Sequence, residues 1–358
     1  MGGLRTVEML VTESSWQGRR VLVTGHTGFK GGWLSLWLDQ LGARVSGLSL
    51  PPPTDPSFFE QTRLSELVSH TEGDIRDYDV VRNAIRAAEP EVVFHLAAQP
   101  LVRYSYDHPV ETYATNVMGT VHVLEACREV GGVKAAICIT TDKCYENREW
   151  VWPYRENDPM GGYDPYSSSK GAAELAIAGY RRSYPDGPAI ASVRAGNVIG
   201  GGDWALDRLV PDIIRALLAG HRPLIRNRAS IRPWQHVLEA LGGYLMIAER
   251  LLAGERNFAT AFNFGPSDED TQPVGWIVEQ MLSAWGAEGW DKPDGPQPHE
   301  AVLLKLDTSK ARSELGWRPR LRLKEALTSI IEWHAHVANG GDAREISLRQ
   351  LEDYRARA

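Results

Sequence analysis

A phenol and an ammonium four residues apart carry the first chemical signal in this chain. In "DPYSSSKGAAELA", Tyr166 and Lys170 share one face if the segment is helical. A tyrosine is a poor base at its ordinary pKa of about 10, and a nearby ammonium favours the phenolate. Such a pair can take a proton from a hydroxyl while hydride departs to a nicotinamide. The Y-x-x-x-K spacing alone also describes an ordinary exposed helical turn; its place after a nucleotide-binding half domain favours the chemical reading. A second cluster, "ICITTDKCYEN", ends an apolar run with Thr140, Thr141, Asp142 and Lys143. A hydroxyl, a carboxyl and an amine are more than hydride transfer needs. Thr141 would hold a substrate hydroxyl beside Tyr166, leaving an acid and a base unassigned. The same residues equally suit a polar loop whose Thr and Asp cap the next element.

The third signal is "VLVTGHTGFKGGW", in which Gly25, Gly28 and Gly31 follow an apolar run and precede "WLSLWLDQLG" with helical periodicity. A strand, a tight glycine turn and a helix N-terminus together seat a dinucleotide pyrophosphate on backbone N–H groups. The spacing is G-x-x-G-x-x-G, with His26 and Lys30 between the glycines.

To bring these groups together the chain must place strand ends side by side, and its pattern does so. Strands are predicted at Val21–Thr24, Ala43–Leu50, near "SHTEGDIRD" closing on Asp74, at "EVVFHLAA", "VKAAICIT" and "AIASVRA". Helices are predicted at "YDVVRNAIRAA", roughly Pro109 to Val130, and Tyr166 to Tyr184. Strands alternating with helices from residue 19 to about 195 specify an α/β fold with a doubly wound parallel sheet, and ligands of such sheets bind outside the carboxyl ends of the strands. Beyond 195 the rhythm shortens into a smaller C-terminal substrate domain. The expected division is 16–195 with 232–265 for the dinucleotide-binding domain and 196–231 with 266–340 for the substrate domain. Residues 1–15 and 341–358 read as peripheral tails, the latter a peripheral helix or a frayed end.

Composition narrows the function classes. The 358 residues carry a formal charge of −7 with no long basic run, which disfavours a nucleic-acid surface. No apolar stretch reaches the roughly eighteen residues of a membrane span, and the first eighteen residues lack a signal-peptide core. Three cysteines, Cys127, Cys138 and Cys144, show no pairing motif, which fits a reducing cytoplasm. No clustered Cys/His spacing indicates a metal.

"TGHTGFKGGW", "GDIRD", "HLAAQ", "TDKCYEN" and "YSSSK" together resemble the extended short-chain dehydrogenase/reductase family. The longer stretches "TTDKCYEN", "RAGNVIGGGDWALDRLVPD", "IRPWQHVLE" and "HEAVLLKLDTSKARSELGW" are similar to its CDP-hexose 4,6-dehydratases, so that the likeness spans about residues 16–340. The resemblance implies a Rossmann-type fold, NAD, CDP-glucose as substrate and net loss of water, a first committed step toward CDP-linked deoxysugars of surface polysaccharide. It implies that Tyr166, aided by Lys170, takes the 4-hydroxyl proton; that Lys143 is the base at carbon 5; and that Asp142 protonates the departing 6-hydroxyl. In related dTDP-sugar dehydratases a glutamate stands where Lys143 stands. A lysine base must be neutral, so Lys143 needs a lowered pKa through burial or through Lys170; a lysine simply paired with Asp142 is the other reading.

For the cofactor, the resemblance implies contacts from Gly25, His26, Gly28, Phe29, Lys30 and Gly31, from Asp74 and Ile75 near the adenine, and from Leu96, Ala97 and Ala98. One departure stands out. The acid that normally ends the second strand to hold the ribose hydroxyls is replaced by Ser49, so NADP is less firmly excluded, and His26 and Lys30 add charge that attracts phosphate. A dehydratase returns its hydride every turnover and draws on no NADPH pool, which favours NAD. For the substrate, Asn197, Arg208, Arg232 and His299 match the family's nucleotide-diphosphate contacts, with Gln99 and Tyr106 toward the sugar. The helices at 109–130 and 165–184 are expected to pair across a two-fold axis in a homodimer or homotetramer. Two rival readings are a nucleotide-sugar epimerase or reductase, which does not require the Asp142–Lys143 pair, and a silent dinucleotide-binding sensor, which has no use for Tyr166 and Lys170.

Overall fold

The computed structural model describes residues 11–293 and 303–357. After a short helix α1 (Glu13–Trp16), the first half alternates strand and helix: β1 (Arg20–Thr24), α2 (Phe29–Gln40), β2 (Arg44–Ser49), α3 (Phe58–Gln61), β3 (Ser69–Glu72), α4 (Tyr78–Ala88) and β4 (Val92–His95). Next come α5 (Val102–Asp107), α6 (Pro109–Tyr113), α7 (Gly119–Val130), β5 (Ala135–Ile139), α8 (Pro165–Ser183) and β6 (Ala189–Ala195). The remainder comprises β7 (Val198–Ile199), α9 (Leu209–Leu218), β8 (Gln235–His236), α10 (Val237–Leu252), β9 (Ala261–Phe264), α11 (Val274–Trp285), α12 (Leu323–Ala338) and α13 (Ala343–Arg355).

Seven parallel strands form one sheet in the order β3-β2-β1-β4-β5-β6-β9, the doubly wound Rossmann arrangement expected from the sequence. The continuous apolar runs of β4, β5 and β6 are buried along their whole length, as strands covered on both faces must be. The order reverses direction between β1 and β4, and there the sheet opens into a cleft. A second apolar core, from Ile213, Ile214, Ile277, Met281, Leu327 and Ile330, joins α9, α11 and α12.

Two local features set the cleft walls. The predicted helix 109–130 contains a π turn, Ala114–Met118, between α6 and α7. There the Asn116 carboxamide is buried and bonded to the Gln99 backbone and the Ser169 hydroxyl, a demand met by the extra residue of a π turn. Across the cleft, Gly201 and Gly202 lie on an aromatic stack of Trp33, Phe58 and Trp333. A Cβ on Gly201 would fall 2.2 Å from the Trp333 ring, and Trp33 Nε1 donates to the Gly201 carbonyl at 2.9 Å.

Both ends of the described chain are fastened to α10. Glu249 accepts from the Thr12 N–H and from Trp16 Nε1. Glu239 accepts from the N–H groups of Arg320 and Leu321 and from the Tyr354 hydroxyl of α13, whose Ile346, Leu351 and Tyr354 are buried. Burial raises the Glu239 carboxyl from 4.5 to about 7, against the pull of its N–H donors. Between these two values the folded chain keeps a proton that the unfolded chain has released, so this contribution is full below about pH 4.5 and is lost as pH rises through 7. Its size is on the order of 3 kcal/mol. Glu239→Gln, which keeps an acceptor for both N–H groups, is expected to flatten urea-unfolding stability between about pH 5 and 7 relative to the parent chain.

Candidate active site

Two helix starts and two strand ends build the site. Asp164 caps α8, its carboxylate accepting from the Ser167 N–H at 2.8 Å, and Pro165 occupies the first helical position. This puts Tyr166 in the first turn, its N–H bonded to Ser105 Oγ, and Lys170 one turn later on the same face. Where β5 ends, Thr140 and Thr141 lead into a single 3₁₀ turn, Asp142–Cys144. Tyr166, Lys170, Thr141, Asp142 and Lys143 all line one cleft of about 860 Å³, so the structure brings the five residues together.

Thr141 Oγ1 donates to Asp142 Oδ1 at 2.9 Å and also lies within hydrogen-bonding reach of the Tyr166 hydroxyl. Asp142 is buried, and its Oδ2 has no hydrogen-bond partner. An unmatched buried carboxyl oxygen is costly, and this one lies beside Gly196 in the wall of the cleft. Lys143 is half-buried on the same wall. Burial lowers the Lys170 amine to about 8, opposed by the Glu174 carboxylate. Burial raises the Tyr166 phenol to about 12; Thr141 draws it down and Asp142 pushes it up. Burial thus opposes the phenolate that a neighbouring ammonium favours.

The glycine turn has the shape of a pyrophosphate cradle. Gly25 has φ +77°, and a Cβ there would lie 2.7 Å from the Ala97 nitrogen. A Cβ on Gly31 would meet the Gly25 carbonyl oxygen at 2.1 Å. Gly28 caps α2 with no side chain to occupy the first-turn N–H groups, leaving them to an anion. Leu96 and Ala98 line the cleft, and Ala97 N–H is fixed by Thr24 Oγ1. Asp74 and Ile75 stand beyond the end of β3. Partial burial opposes the Asp74 charge, but hydrogen bonds from Arg76 hold its carboxyl below the ordinary value. Ser49 is buried and bonded to Thr27 Oγ1, in the place of the missing acid.

His26 and Lys30 diverge. The His26 ring lies on Gly47, with Nε2 2.8 Å from Nδ1 of His70. Burial and His70 lower it to about 4, so it is a neutral packing group and brings no charge to a phosphate. That corrects the sequence expectation. Lys30 does face the cleft, as does Phe29; burial and the neighbouring Lys170 and Arg208 lower its amine to about 7.

On the opposite wall stand Asn197, Arg208 and Arg232. Asn197 Oδ1 is buried without a partner, and Arg208 is paired with Asp203 at 3.1 Å. Tyr106 lies at the exposed rim. His299 lies outside the described residues. Gln99 is corrected: its Nε2 donates to Thr112 Oγ1 and its Oε1 accepts from the Leu101 N–H, so its side chain is spent inside the protein. Sequence reasoning missed Asn116, Asp203, Ser230 and Trp234. Ser230 Oγ and Trp234 Nε1 are buried, lack partners and line the cleft. Asn116 had no periodicity signal, because a π turn breaks the 3.6-residue repeat; Asp203 stood within the quoted "GGGDW" and carried no role there.

Residues 22–330 match the family model described as GDP-mannose 4,6 dehydratase. The chain is 55% identical over 353 residues to the CDP-glucose 4,6-dehydratase of Salmonella typhimurium, covering 96% of this chain and 98% of that protein. It is 30% identical over 271 residues to a dTDP-glucose 4,6-dehydratase of Streptomyces antibioticus, 75% of this chain and 76% of that one. Among solved structures, the UDP-glucose 4-epimerase of Thermus thermophilus in complex with NAD is similar with a TM-score of 0.76 and 25% identity, over 88% of this chain and 99% of that one. DesIV, a dTDP-glucose 4,6-dehydratase of Streptomyces venezuelae, shares the fold with a TM-score of 0.76 and 23% identity, over 90% and 99%.

The Gly31–Gly25 contact gives a direct test of the cradle. Gly31→Ala forces the turn open, so it is expected to cost about 1–3 kcal/mol of stability and to weaken NAD binding at least about tenfold. Urea unfolding and titration calorimetry with NAD read the two effects separately.

Proposed function

The chain belongs to the family of nucleotide-sugar 4,6-dehydratases that this model describes, and from that premise we propose that it converts CDP-glucose to CDP-4-keto-6-deoxyglucose and water, with NAD as a resident cofactor. The observation that carries this reading is the placement of Asp142 and Lys143 in one cleft with Tyr166 and Lys170, in a chain related along nearly its whole length to the Salmonella enzyme.

The residues divide the work by proton. Arg208, Arg232 and Asn197 hold the diphosphate, guanidinium forks suiting its oxygens. Thr141 orients the sugar 4-hydroxyl toward the Tyr166 oxygen, which takes its proton, while the Lys170 ammonium favours the phenolate. When bound, NAD supplies the acceptor for hydride from carbon 4, the positive charge that further favours the phenolate, and the hydride returned to carbon 6. The carbon 4 ketone acidifies the hydrogen on carbon 5, and Lys143 takes that proton. Asp142 gives its proton to the 6-oxygen, the bond from carbon 6 to that oxygen breaks, and water leaves. Lys143 then returns a proton to carbon 5. Gly25, Gly28, Gly31, Asp74 and Leu96 serve the cofactor side.

The finer assignments belong to the same proposal. We read 196–231 with 266–340 as the nucleotide-sugar unit. We place the enzyme in a cytoplasm, where it serves CDP-linked deoxysugars of surface polysaccharide such as O-antigen. Supporting the location, the three cysteines are buried and unpaired, and no helix among the described residues is long and apolar enough to cross a membrane. The chain forms a homodimer or a homotetramer built from it, through the helices at 109–130 and α8, whose outer faces leave Val110, Met118 and Leu175 exposed.

Incubation of the purified protein with NAD and CDP-glucose, dTDP-glucose or GDP-mannose tests the reaction. Loss of one water from CDP-glucose alone with no net NADH is expected; no water loss from any sugar overturns it. Lys143→Met is expected to lower turnover by about 10²–10⁴ and to accumulate reduced cofactor in a single turnover, because oxidation precedes its step. Leu175→Glu is expected to shift the dimer toward monomer in light scattering.

A further inference from the structure

Behind the cleft, out of reach of substrate and cofactor, lies a second set of ionised groups. Glu174 sits one helical turn after Lys170 on α8, with its side chain only 4% exposed, and faces Arg194 of β6, equally buried. Arg194 meets the carboxylate with two hydrogen bonds, Nε to Oε1 at 2.9 Å and an Nη to Oε2 at 2.8 Å. Thr140 Oγ1 donates to Oε1 at 2.5 Å and Ser192 Oγ to Oε2 at 2.8 Å. Arg194 Nη1 donates to the Tyr145 hydroxyl and the Glu156 carbonyl. Every lone pair of Glu174 is matched, and the residue next to Thr141 is one of its donors.

An apolar pair of similar volume would hold α8 on the sheet at least as well, since burying two charges is costly. What the ion pair adds is a carboxylate one helical turn from Lys170, with its counter-cation on the adjoining strand β6. The titratable and charged groups around that amine come from six elements. Tyr166 and Glu174 lie on α8, His95 on β4, Cys138 on β5, Asp142 and Cys144 on the 142–144 turn, Lys30 on α2 and Arg194 on β6. Burial keeps His95 neutral, at about 3, and raises both thiols far above neutrality, so none of these three carries charge. Lys30 and Arg194 are cationic or partly so. Asp142 faces Lys30 and Tyr166. Glu174 is thus the anion that acts on Lys170.

We propose that Glu174 is a positioning residue for the reaction: locked by Arg194, Thr140 and Ser192, its carboxylate keeps the Lys170 ammonium charged beside Tyr166 and couples that charge to the end of β5 that carries Thr141 and Asp142. The proposal rests on the dehydratase reading for its kinetic test only. Because Lys170 acts as a cation, loss of its counter-charge lowers the pH at which it becomes neutral, and the alkaline limb of turnover moves to lower pH.

The test compares Glu174→Asp, Glu174→Gln and the double variant Glu174→Gln with Arg194→Met, which leaves no unpaired buried charge should the single Gln variant fail to fold. Competitive amine labelling of the full-length protein across pH, read by peptide mass spectrometry, reports Lys170 without substrate. The Gln variant is expected to show Lys170 becoming reactive about one pH unit lower, the double variant a smaller shift in the same direction because the Arg194 cation is lost with the carboxylate, and the alkaline limb of kcat with CDP-glucose to follow each, with KM within about twofold. The Asp variant, which keeps the charge, is expected to stay near the parent profile. A double variant whose labelling profile superimposes on the parent, with only thermal stability changed, overturns the proposal; so does an Asp variant shifted as far as the double. If the parent protein turns over no sugar, the dehydratase reading fails while the labelling still decides this one.

Discussion

The ion pair between Glu174 and Arg194 is buried at the junction of α8 with the carboxyl ends of β5 and β6, where two charges leave water at a cost of several kcal/mol each unless every donor and acceptor is matched. The match is made by groups from three directions: Thr140 at the end of β5, Ser192 within β6, and Tyr145 beyond the 142–144 turn. Those partners fix three things at once. Helix α8 cannot rotate without breaking the bidentate pair, so Tyr166 and Lys170 keep their bearing. The β5 end cannot lift away, so Thr141 stays in hydrogen-bonding reach of both Asp142 and Tyr166. Asn197 leaves β6 only two residues after the last strand position, so the opposite wall starts from the same anchor.

The cleft itself is held in charge balance. Lys30 stands among Lys170, Arg208, Asp142 and Asp203; burial and the two neighbouring cations draw its amine well below the ordinary value, and burial does the same to Lys170. A site arranged this way accepts an anionic ligand readily, because the buried cations are short of counter-charge. The aromatic stack under Gly201 and Gly202, with the Trp33–Gly201 hydrogen bond, ties the loop that carries Asp203 to α2 and so one wall of the cleft to the glycine turn.

Much of this was legible from residue types. Buried strands announced themselves as continuous apolar runs; β6 coincides with "AIASVRA", and α8 begins one residue before the Tyr166 start. Asp142 and Lys143 stood out because a strand end carried more acid–base chemistry than a binding loop needs, and both line the cleft. What stayed hidden depends on tertiary direction. Gln99 reads as polar and near the sugar, yet a buried pocket of Thr112 and the Leu101 backbone claims it. His26 lies between pyrophosphate glycines, yet Gly47, by lacking a side chain, opens a space into which the ring folds back toward His70. Asn116 lies on a turn whose periodicity belongs to no regular element.

The fold and the Tyr166/Lys170 pair do not by themselves separate a dehydratase from an epimerase, since the same architecture is shared with the Thermus epimerase structure. Both chemistries begin by oxidising a sugar hydroxyl, and up to that step a phenol, an ammonium and a dinucleotide cradle suffice. Elimination asks for two further proton transfers on one sugar, a base at carbon 5 and an acid at the 6-oxygen. A pair of adjacent residues on one tight turn can supply both only if the turn directs one side chain inward and leaves the other free along the wall. At 142–144 Asp142 is buried with one oxygen unmatched, and Lys143 stands half-buried beside it, both in the wall of the cleft. On the proposed dehydratase reading the constraint that separates the two reactions lies in this three-residue turn, and the buried Glu174 carboxylate ties Thr140, just before the turn, to α8.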